Sequence, residues 1–165
     1  MDSGNLAWYI AATALVLFMT PGVAFFYGGL VKAKSVISMM MMSFGAMGLV
    51  AVLWILYGFN MQTADAWPGI LGNPFSDFGL STLSTGDTAT VDLTAVAYGA
   101  TFAIITIALI SGAIADRAKF GSWMLFAFLF ATIDYFAVAG WVWNTNGWIF
   151  NLSLIHISEP TRRTP

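Results

Sequence analysis

The sequence predicts an all-α fold, a polytopic transmembrane bundle of four helices. Hydrophobic residues make up 59% of the chain and charged residues only 8%, which is too few charges to cover the surface of a soluble domain. Four apolar stretches each reach about the 20 residues needed to cross the hydrocarbon core of a bilayer. Up to residue 151, charged side chains other than Asp134 lie outside these stretches. A lipid bilayer is therefore the expected surroundings of the chain.

The first helix is predicted at residues 6–31. From Leu6 to Val31 the chain carries no ionisable side chain other than tyrosine. Asp2 stands where a secretory signal peptide would carry positive charge, so we expect this helix to be retained. Pro21 removes a backbone donor inside the helix, and neighbouring helices must cover the carbonyl that it frees. The first helix is therefore expected to pack in a bundle.

The remaining helices follow from the same pattern of apolar stretches and breaks. A short turn with Lys32 and Lys34 precedes the second helix, predicted at 36–59 and rich in methionine. Residues 60–92 are rich in Gly, Pro, Ser, Thr and Asp, which is typical of a polar extramembrane loop. The third helix is predicted at 93–115 and the fourth at 120–142, with a charged turn at 116–119 between them.

The distribution of basic residues predicts the orientation. Basic side chains in short loops stay on the cytoplasmic side of a membrane. Both short turns are basic, whereas the long loop carries Asp65, Asp77, Asp87 and Asp92 without a lysine or arginine. We therefore expect the long loop and the N-terminus to lie outside the cell.

The segment 152–165 departs from this pattern. It is too polar to span a membrane, lacks a clear helical stripe and resembles the translation of a sequencing-adapter oligonucleotide. We predict that it is foreign to the protein and exclude it from fold reasoning; a genuine flexible C-terminus is the alternative. His156 lies in this segment without a partner residue, so no role is assigned to it.

Aromatic residues gather near the predicted outer ends of the third and fourth helices. Tyr98 and Phe102 are four residues apart and share one helical face, while the fourth helix ends with Trp141, Trp143 and Trp148. Ring faces at one depth can hold a small cation, an interaction of about 2 kcal/mol when partly desolvated. The alternative is an interfacial aromatic belt. Trp141 and Trp143 point to different sides, so at most one is expected to face the interior.

Asp134 is the carboxylate within a predicted spanning segment. An acid at such a depth usually faces protein or water and marks a transport pathway; a structural pair with a neighbouring helix is an equally open interpretation. No catalytic, metal-ligating or phosphate-binding motif is present, so an enzyme and a cofactor are not expected. The net charge of −2 leaves no basic surface for nucleic acid.

Three motifs resemble the ammonium transporter family, the Amt/Mep/Rh proteins, within residues 6–151. The first is PGVAFFYGGLV at 21–31, followed by Lys32 and Lys34. The second runs through the third helix from Thr101 and ends in the pair Asp116 and Arg117. The third is WVW at 141–143. The resemblance identifies residues 1–151 as a partial ammonium transporter domain.

The resemblance implies a plasma-membrane homotrimer whose subunits have about eleven helices and transport ammonium or ammonia, with a PII-type regulator on the cytoplasmic face. Phe102 matches the family's recruiting and gating aromatic residue, Trp143 its cage tryptophan and Tyr98 a vestibule position. The family's two pore histidines are absent from this chain. We therefore expect a truncated portion of a transporter that passes ammonium from an outer aromatic site into an apolar pore. The alternative functions are an ammonium sensor and a membrane scaffold subunit without transport.

Overall fold

A computed structural model describes residues 3–63, 71–85 and 88–156, and the side chains of these residues as far as Leu152. Its α-helices are α1 (Ser3–Leu30), α2 (Val36–Leu53), α3 (Phe59–Thr63), α4 (Ala89–Ile110), α5 (Phe120–Phe130), α6 (Phe136–Trp143) and α7 (Trp148–His156). Four helical segments are long and apolar enough to cross a membrane. They are span 1 (Ser3–Leu30), span 2 (Ala33–Thr63), span 3 (Ala89–Ile114) and span 4 (Phe120–Leu152). The predicted all-α fold with four membrane-spanning helices is confirmed.

The predicted outer loop at 60–92 is helical at both of its ends. The second span continues to Thr63, beyond the predicted end at residue 59, and α4 begins at Ala89 rather than at residue 93. Hydropathy locates the hydrocarbon core, but a helix retains its backbone hydrogen bonds when it extends past that core into polar surroundings. The additional turns include polar residues such as Gln62, Thr63 and Asp92.

Two π-helical turns interrupt the spans at Trp54–Gly58 and Ala131–Tyr135. The turns are joined by the hydroxyls of Tyr57 and Thr132, which lie 2.7 Å apart. Thr132 donates to the Phe128 carbonyl at 2.9 Å, so Tyr57 is the donor to Thr132. A π turn inserts a residue into the helical repeat and changes the phase of the helix that follows. The two turns therefore set the faces that α3 and α6 present to each other.

Two fully buried tryptophans connect span 2 to its neighbours. The Trp54 indole N–H donates to the Val96 carbonyl at 3.0 Å, and the Trp123 indole N–H donates to the Met42 carbonyl at 2.8 Å. Hydrocarbon supplies no acceptor for an indole donor, so each needs a protein partner. These bonds hold span 2 against spans 3 and 4.

Both basic turns lie at one end of the bundle. Near this end the Tyr27 hydroxyl donates to the Leu109 carbonyl at 3.1 Å, across spans 1 and 3. The Tyr27 ring occupies the space that a side chain at Gly112 would need, since a Cβ there would lie 2.6 Å from a ring carbon. The hydroxyls of Ser43 and Ser111 lie 3.5 Å apart in the same region. Small residues thus allow close packing where the chain reverses direction.

At the opposite end, residues 71–85 fold back onto span 2. Asn60 is buried and its side-chain amide donates to the Asp77 carbonyl at 2.8 Å. Gly79 and Leu80 have φ angles of 72° and 57°, and this left-handed turn places the Leu80 side chain in the core. The described part of the outer loop is therefore a folded cap on the bundle.

The close approach of the two π turns generates a stability prediction. A Cβ at Gly58 would lie 2.7 Å from a ring carbon of Phe136, whereas a Cβ at Gly48, in the same span, would meet nothing within 4 Å. Gly58→Ala should lower the free energy of unfolding by about 1–3 kcal/mol because the packed ring must move. Gly48→Ala should leave stability unchanged or raise it by up to about 1 kcal/mol, since alanine favours the helix.

The measurement is thermal unfolding of the purified intact gene product in detergent, with the two variants compared under the same conditions. Equal melting temperatures for Gly58→Ala and Gly48→Ala would contradict the packing of Phe136 on Gly58.

The outer cap generates a prediction of pH dependence. The Asp77 carboxylate accepts hydrogen bonds from the backbone N–H of Thr82 at 2.8 Å, from the backbone N–H of Leu83 at 3.1 Å and from two hydroxyls. These bonds, that of the Thr82 N–H foremost, lower the pKa of Asp77 from 3.8 to about 2. A group with a lowered pKa stabilises the fold above its ordinary pKa, and the contribution is lost as pH falls to the folded value.

The cap should therefore keep its structure from neutral pH to about pH 4 and open as the pH falls toward 2. Hydrogen exchange at the Thr82 and Leu83 amides, corrected for intrinsic rates, measures this opening. In Asp77→Asn the protection should be lower and independent of pH across this range. Protection in the unaltered protein that is the same at pH 5 and pH 2 would contradict the role of the carboxylate.

Candidate functional site

A cavity of about 510 Å³, called here the outer cavity, opens at the end of the bundle opposite the basic turns. Tyr98, Phe102 and Trp143, the three aromatic residues singled out from the sequence, all line it. Tyr98 and Phe102 come from one face of α4, and Trp143 is the last residue of α6. The structure therefore brings together the three residues that were predicted to share one depth.

The rings of the outer cavity are held by aromatic contacts. Tyr98 and Phe102 meet edge to face, with ring centroids 5.0 Å apart, and Tyr98 also meets Tyr9 of α1 at 5.3 Å. The Trp143 ring packs edge to face on Tyr135 at 6.4 Å. Edge-to-face contacts direct the electron-rich faces of some rings away from their neighbours. An electron-rich ring face is the part of an aromatic side chain that attracts a cation.

The two tryptophans near the end of α6 have different surroundings. Trp143 lines the outer cavity, whereas Trp141 is not one of its lining residues and packs on Trp148 with centroids 6.0 Å apart. Positions two apart on a helix point about 200° from each other, which explains the separation. Trp148 is as exposed as Trp143, at 52% against 49%, and is not among the residues that line the cavity.

Asp134 is separate from this group. It lies in the π turn Ala131–Tyr135 and is exposed on the surface of the described bundle, and it does not line the outer cavity. Its assignment as a structural or pathway acid stays a prediction. His156 is the last residue of α7, and its side chain lies outside the described part of the structure.

Sequence reasoning missed the contribution of α3 to the cavity. Phe59 lines it from the last position of the predicted second helix, and Gln62 and Thr63 line it because span 2 continues past that predicted end. The Asn144 side chain, next to Trp143, donates to the backbone carbonyl of Gln62 at 3.1 Å. This hydrogen bond connects α3 to the end of α6. The spacing of Phe59 to Gln62 and Thr63 fits a helical face, but the polar composition after residue 59 favoured a loop.

Gln62 contributes an unusual polar atom. Its side-chain oxygen Oε1 is buried and has no hydrogen-bond partner among the described residues. The neighbouring Thr63 hydroxyl, in contrast, donates to the Phe59 carbonyl at 2.9 Å. A buried acceptor without a donor is rare in folded proteins and calls for an explanation.

The described lining of the outer cavity carries no formal charge. It offers ring faces, an amide and hydroxyls, which suit a small and weakly hydrated monovalent cation. Divalent cations require several oxygen ligands, usually including carboxylates, and the described residues contain no group of acidic, histidine or cysteine side chains that could hold a metal ion.

A second cavity, of about 410 Å³, lies between α1, span 2 and α4. Its lining is largely aliphatic, with residues such as Leu17, Ile55 and Ile104, and includes no aromatic ring. It therefore cannot offer the attraction of a ring face to a cation. Of these two cavities, only the outer cavity has the chemistry of a cation site.

Comparison with known proteins places this geometry in a family. Residues 7–157 match the model of the Ammonium Transporter Family. Ammonium transporters of Mycobacterium bovis and Aquifex aeolicus are 47% and 46% identical to the chain, over 91% and 87% of its length. The crystal structure of Saccharomyces cerevisiae Mep2 superimposes with a TM-score of 0.80 at 30% identity and covers 93% of the chain.

The chain spans 37% and 34% of the two bacterial relatives and 34% of the Mep2 chain. The relatives compared here are named as transporters and not as enzymes. The matched residues include spans 2 to 4, span 1 from residue 7 onward, and the residues that line the outer cavity. The resemblance found in the sequence motifs is thus confirmed, and the chain belongs to the ammonium transporter family.

Proposed function

We propose that the protein containing this chain transports ammonium or ammonia across a cell membrane, and that the outer cavity is where ammonium first binds. The observation that carries this proposal is the convergence of Tyr98, Phe102 and Trp143 on one cavity at the end opposite the basic turns, and the described lining of this cavity carries no formal charge. The family membership supports the same substrate, because the relatives are named ammonium transporters. The chain covers about a third of those relatives, so the activity belongs to the larger protein.

The aromatic cavity offsets part of the cost of removing water from the ion. An ammonium ion loses hydration when it leaves bulk water, and ring faces return about 2 kcal/mol when the site is partly desolvated. The lack of a carboxylate in the described lining keeps this binding weak. Conduction needs a site that is favourable enough to enter and weak enough to leave.

Phe102 is the proposed exit from the cavity toward the pore. It lies on α4, and the next residue on its face, Thr106, donates its hydroxyl hydrogen to the Phe102 carbonyl at 2.7 Å. Beyond Thr106 on the same face, Leu109 and Ile110 are apolar. A cation that passes Phe102 would meet an apolar path, which favours loss of a proton or of the remaining water.

We further propose that the protein is a plasma-membrane homotrimer with its N-terminus and outer cavity outside the cell. The basic turns at Lys32, Lys34, Arg117 and Lys119 would then face the cytoplasm. That end is available to a PII-type regulator, as the family resemblance implies.

A pair of tryptophan substitutions tests the recruiting site. Trp143→Leu in the intact gene product should raise the ammonium concentration that gives half-maximal uptake by about tenfold, which corresponds to losing about 1.4 of the roughly 2 kcal/mol that the ring faces supply. Trp148→Leu is the matched control, since Trp148 is equally exposed at the same end but does not line the cavity. Uptake into vesicles that contain the purified protein is the measurement.

Unchanged uptake in Trp143→Leu at low ammonium concentration would contradict the recruiting role. Vesicles in which the unaltered protein binds ammonium but supports no uptake would replace transport with sensing as the function.

The orientation can be tested by thiol labelling of the intact gene product, with any cysteine outside this chain replaced by serine; the chain itself contains no cysteine. Ser76→Cys in the outer cap should react with a membrane-impermeant maleimide on intact cells. Lys34→Cys should react only after the membrane is opened, because the basic turn is expected in the cytoplasm. Reaction of both positions, or of Lys34→Cys alone, on intact cells would refute the proposed orientation.

A further inference from the structure

We propose that the Gln62 side-chain amide is a substrate-binding group of the outer cavity, with its oxygen accepting a hydrogen bond from an N–H of ammonium. This inference rests on the proposed function, because it assigns an additional residue to the same site. It starts from a single atom, the buried Gln62 Oε1, for which the described residues provide no donor.

Gln62 belongs to the cavity by position. It lines the space together with Trp143 and Phe102, whose rings supply the proposed attraction for the cation. Among the other polar groups of this lining, the Thr63 hydroxyl already donates to the Phe59 carbonyl. The Gln62 amide oxygen is a stronger acceptor than a hydroxyl and is not occupied by a described donor.

The backbone of Gln62 is fixed beside Trp143. Asn144 donates to the Gln62 carbonyl at 3.1 Å, and the Asn144 side-chain oxygen in turn accepts from the Asn146 N–H at 2.9 Å. α3 and α6 also approach closely, since a Cβ at Gly140 would lie 2.9 Å from the Met61 carbonyl oxygen. The hydrogen bond from Asn144 and the close packing of α3 on α6 hold the Gln62 backbone beside the cavity. The terminal amide of Gln62 can still rotate.

The Gln62 oxygen must turn toward the cavity to bind ammonium, and rotation of the side-chain amide allows this. The last torsion of glutamine has a broad and shallow profile, so the amide can turn its oxygen toward the cavity. In the described state the oxygen is enclosed without a donor, which costs free energy. An ammonium ion in the cavity provides a charged donor and removes this cost. Binding of ammonium therefore gives the Gln62 oxygen the hydrogen bond that it lacks, and this hydrogen bond stabilises the bound ion.

The amide adds a property that rings lack. A ring face attracts any weakly hydrated monovalent cation of suitable size. A single amide oxygen replaces little of the hydration shell of potassium, whose selective sites use rings of several carbonyls. For ammonium the same oxygen makes one directed hydrogen bond to a charged donor. Gln62 therefore favours an ion that carries N–H groups.

Two substitutions at Gln62 separate hydrogen bonding from packing. Gln62→Met keeps the length of the side chain and removes the acceptor, so it should raise the ammonium concentration for half-maximal uptake by about tenfold without lowering the maximal rate. Gln62→Glu keeps an acceptor oxygen at the same reach and should bind ammonium at least as well as the unaltered protein. Thr94→Val is the control and should change this concentration less than twofold, because Thr94 does not line the cavity and its hydroxyl donates to the Thr90 carbonyl.

The experiment uses the intact gene product in vesicles, with ammonium as the probe and with each variant checked for folding by size-exclusion chromatography. A change below twofold in Gln62→Met, or equal weakening in the Met and Glu variants, would overturn the role of the oxygen. If Trp143→Leu weakens uptake and Gln62→Met does not, this inference fails and the proposed function stands. If the unaltered protein takes up no ammonium, both fail.

Discussion

The structure depends on one constraint, which is that hydrocarbon offers no hydrogen-bond partner to a polar group. The indole donors of Trp54 and Trp123 and the hydroxyls of Tyr27 and Tyr57 all donate to acceptors on a different span. In water these bonds would compete with solvent and contribute little, but inside a membrane the alternative is an unsatisfied donor. Each of these donors therefore needs an acceptor on another span. This need determines which spans are neighbours and in what register they pack.

The pair of π turns shows how this constraint reaches the candidate site. Tyr57 and Thr132 join the turns through a hydrogen bond, and the Phe136 ring fits against Gly58. Beyond the turns, α3 and α6 run together to the outer end, where Asn144 binds the Gln62 backbone. The relative placement of Gln62 and Trp143 thus depends on contacts that begin about one turn before Gln62 and about three turns before Trp143. π turns are frequently found near functional sites for this reason.

The sequence was sufficient to predict the four spans, because the length of an apolar stretch directly reflects the thickness of the hydrocarbon. The meeting of Tyr98 and Phe102 also followed from their spacing of four residues. The extension of span 2 to Gln62 and Thr63 could not be predicted from the sequence. These residues have the composition of a loop, and their helix is stabilised by Asn144, which is far away in sequence. The π turns were equally hidden, since they depend on tertiary packing between Gly58 and Phe136. The aromatic residues were found at the site, but their binding role stays a proposal.

The lack of formal charge in the described lining of the outer cavity suits a site that must release what it binds. A carboxylate in the same space would attract a cation strongly, because an ion pair gains free energy as its surroundings lose water. Such a site would also retain sodium, potassium and divalent ions. Asp134 and Asp77 both lie away from the lining, so in the proposed function selection falls to ring faces and to the Gln62 amide. These groups favour an ion that is weakly hydrated and carries its own hydrogen-bond donors, and ammonium has both properties.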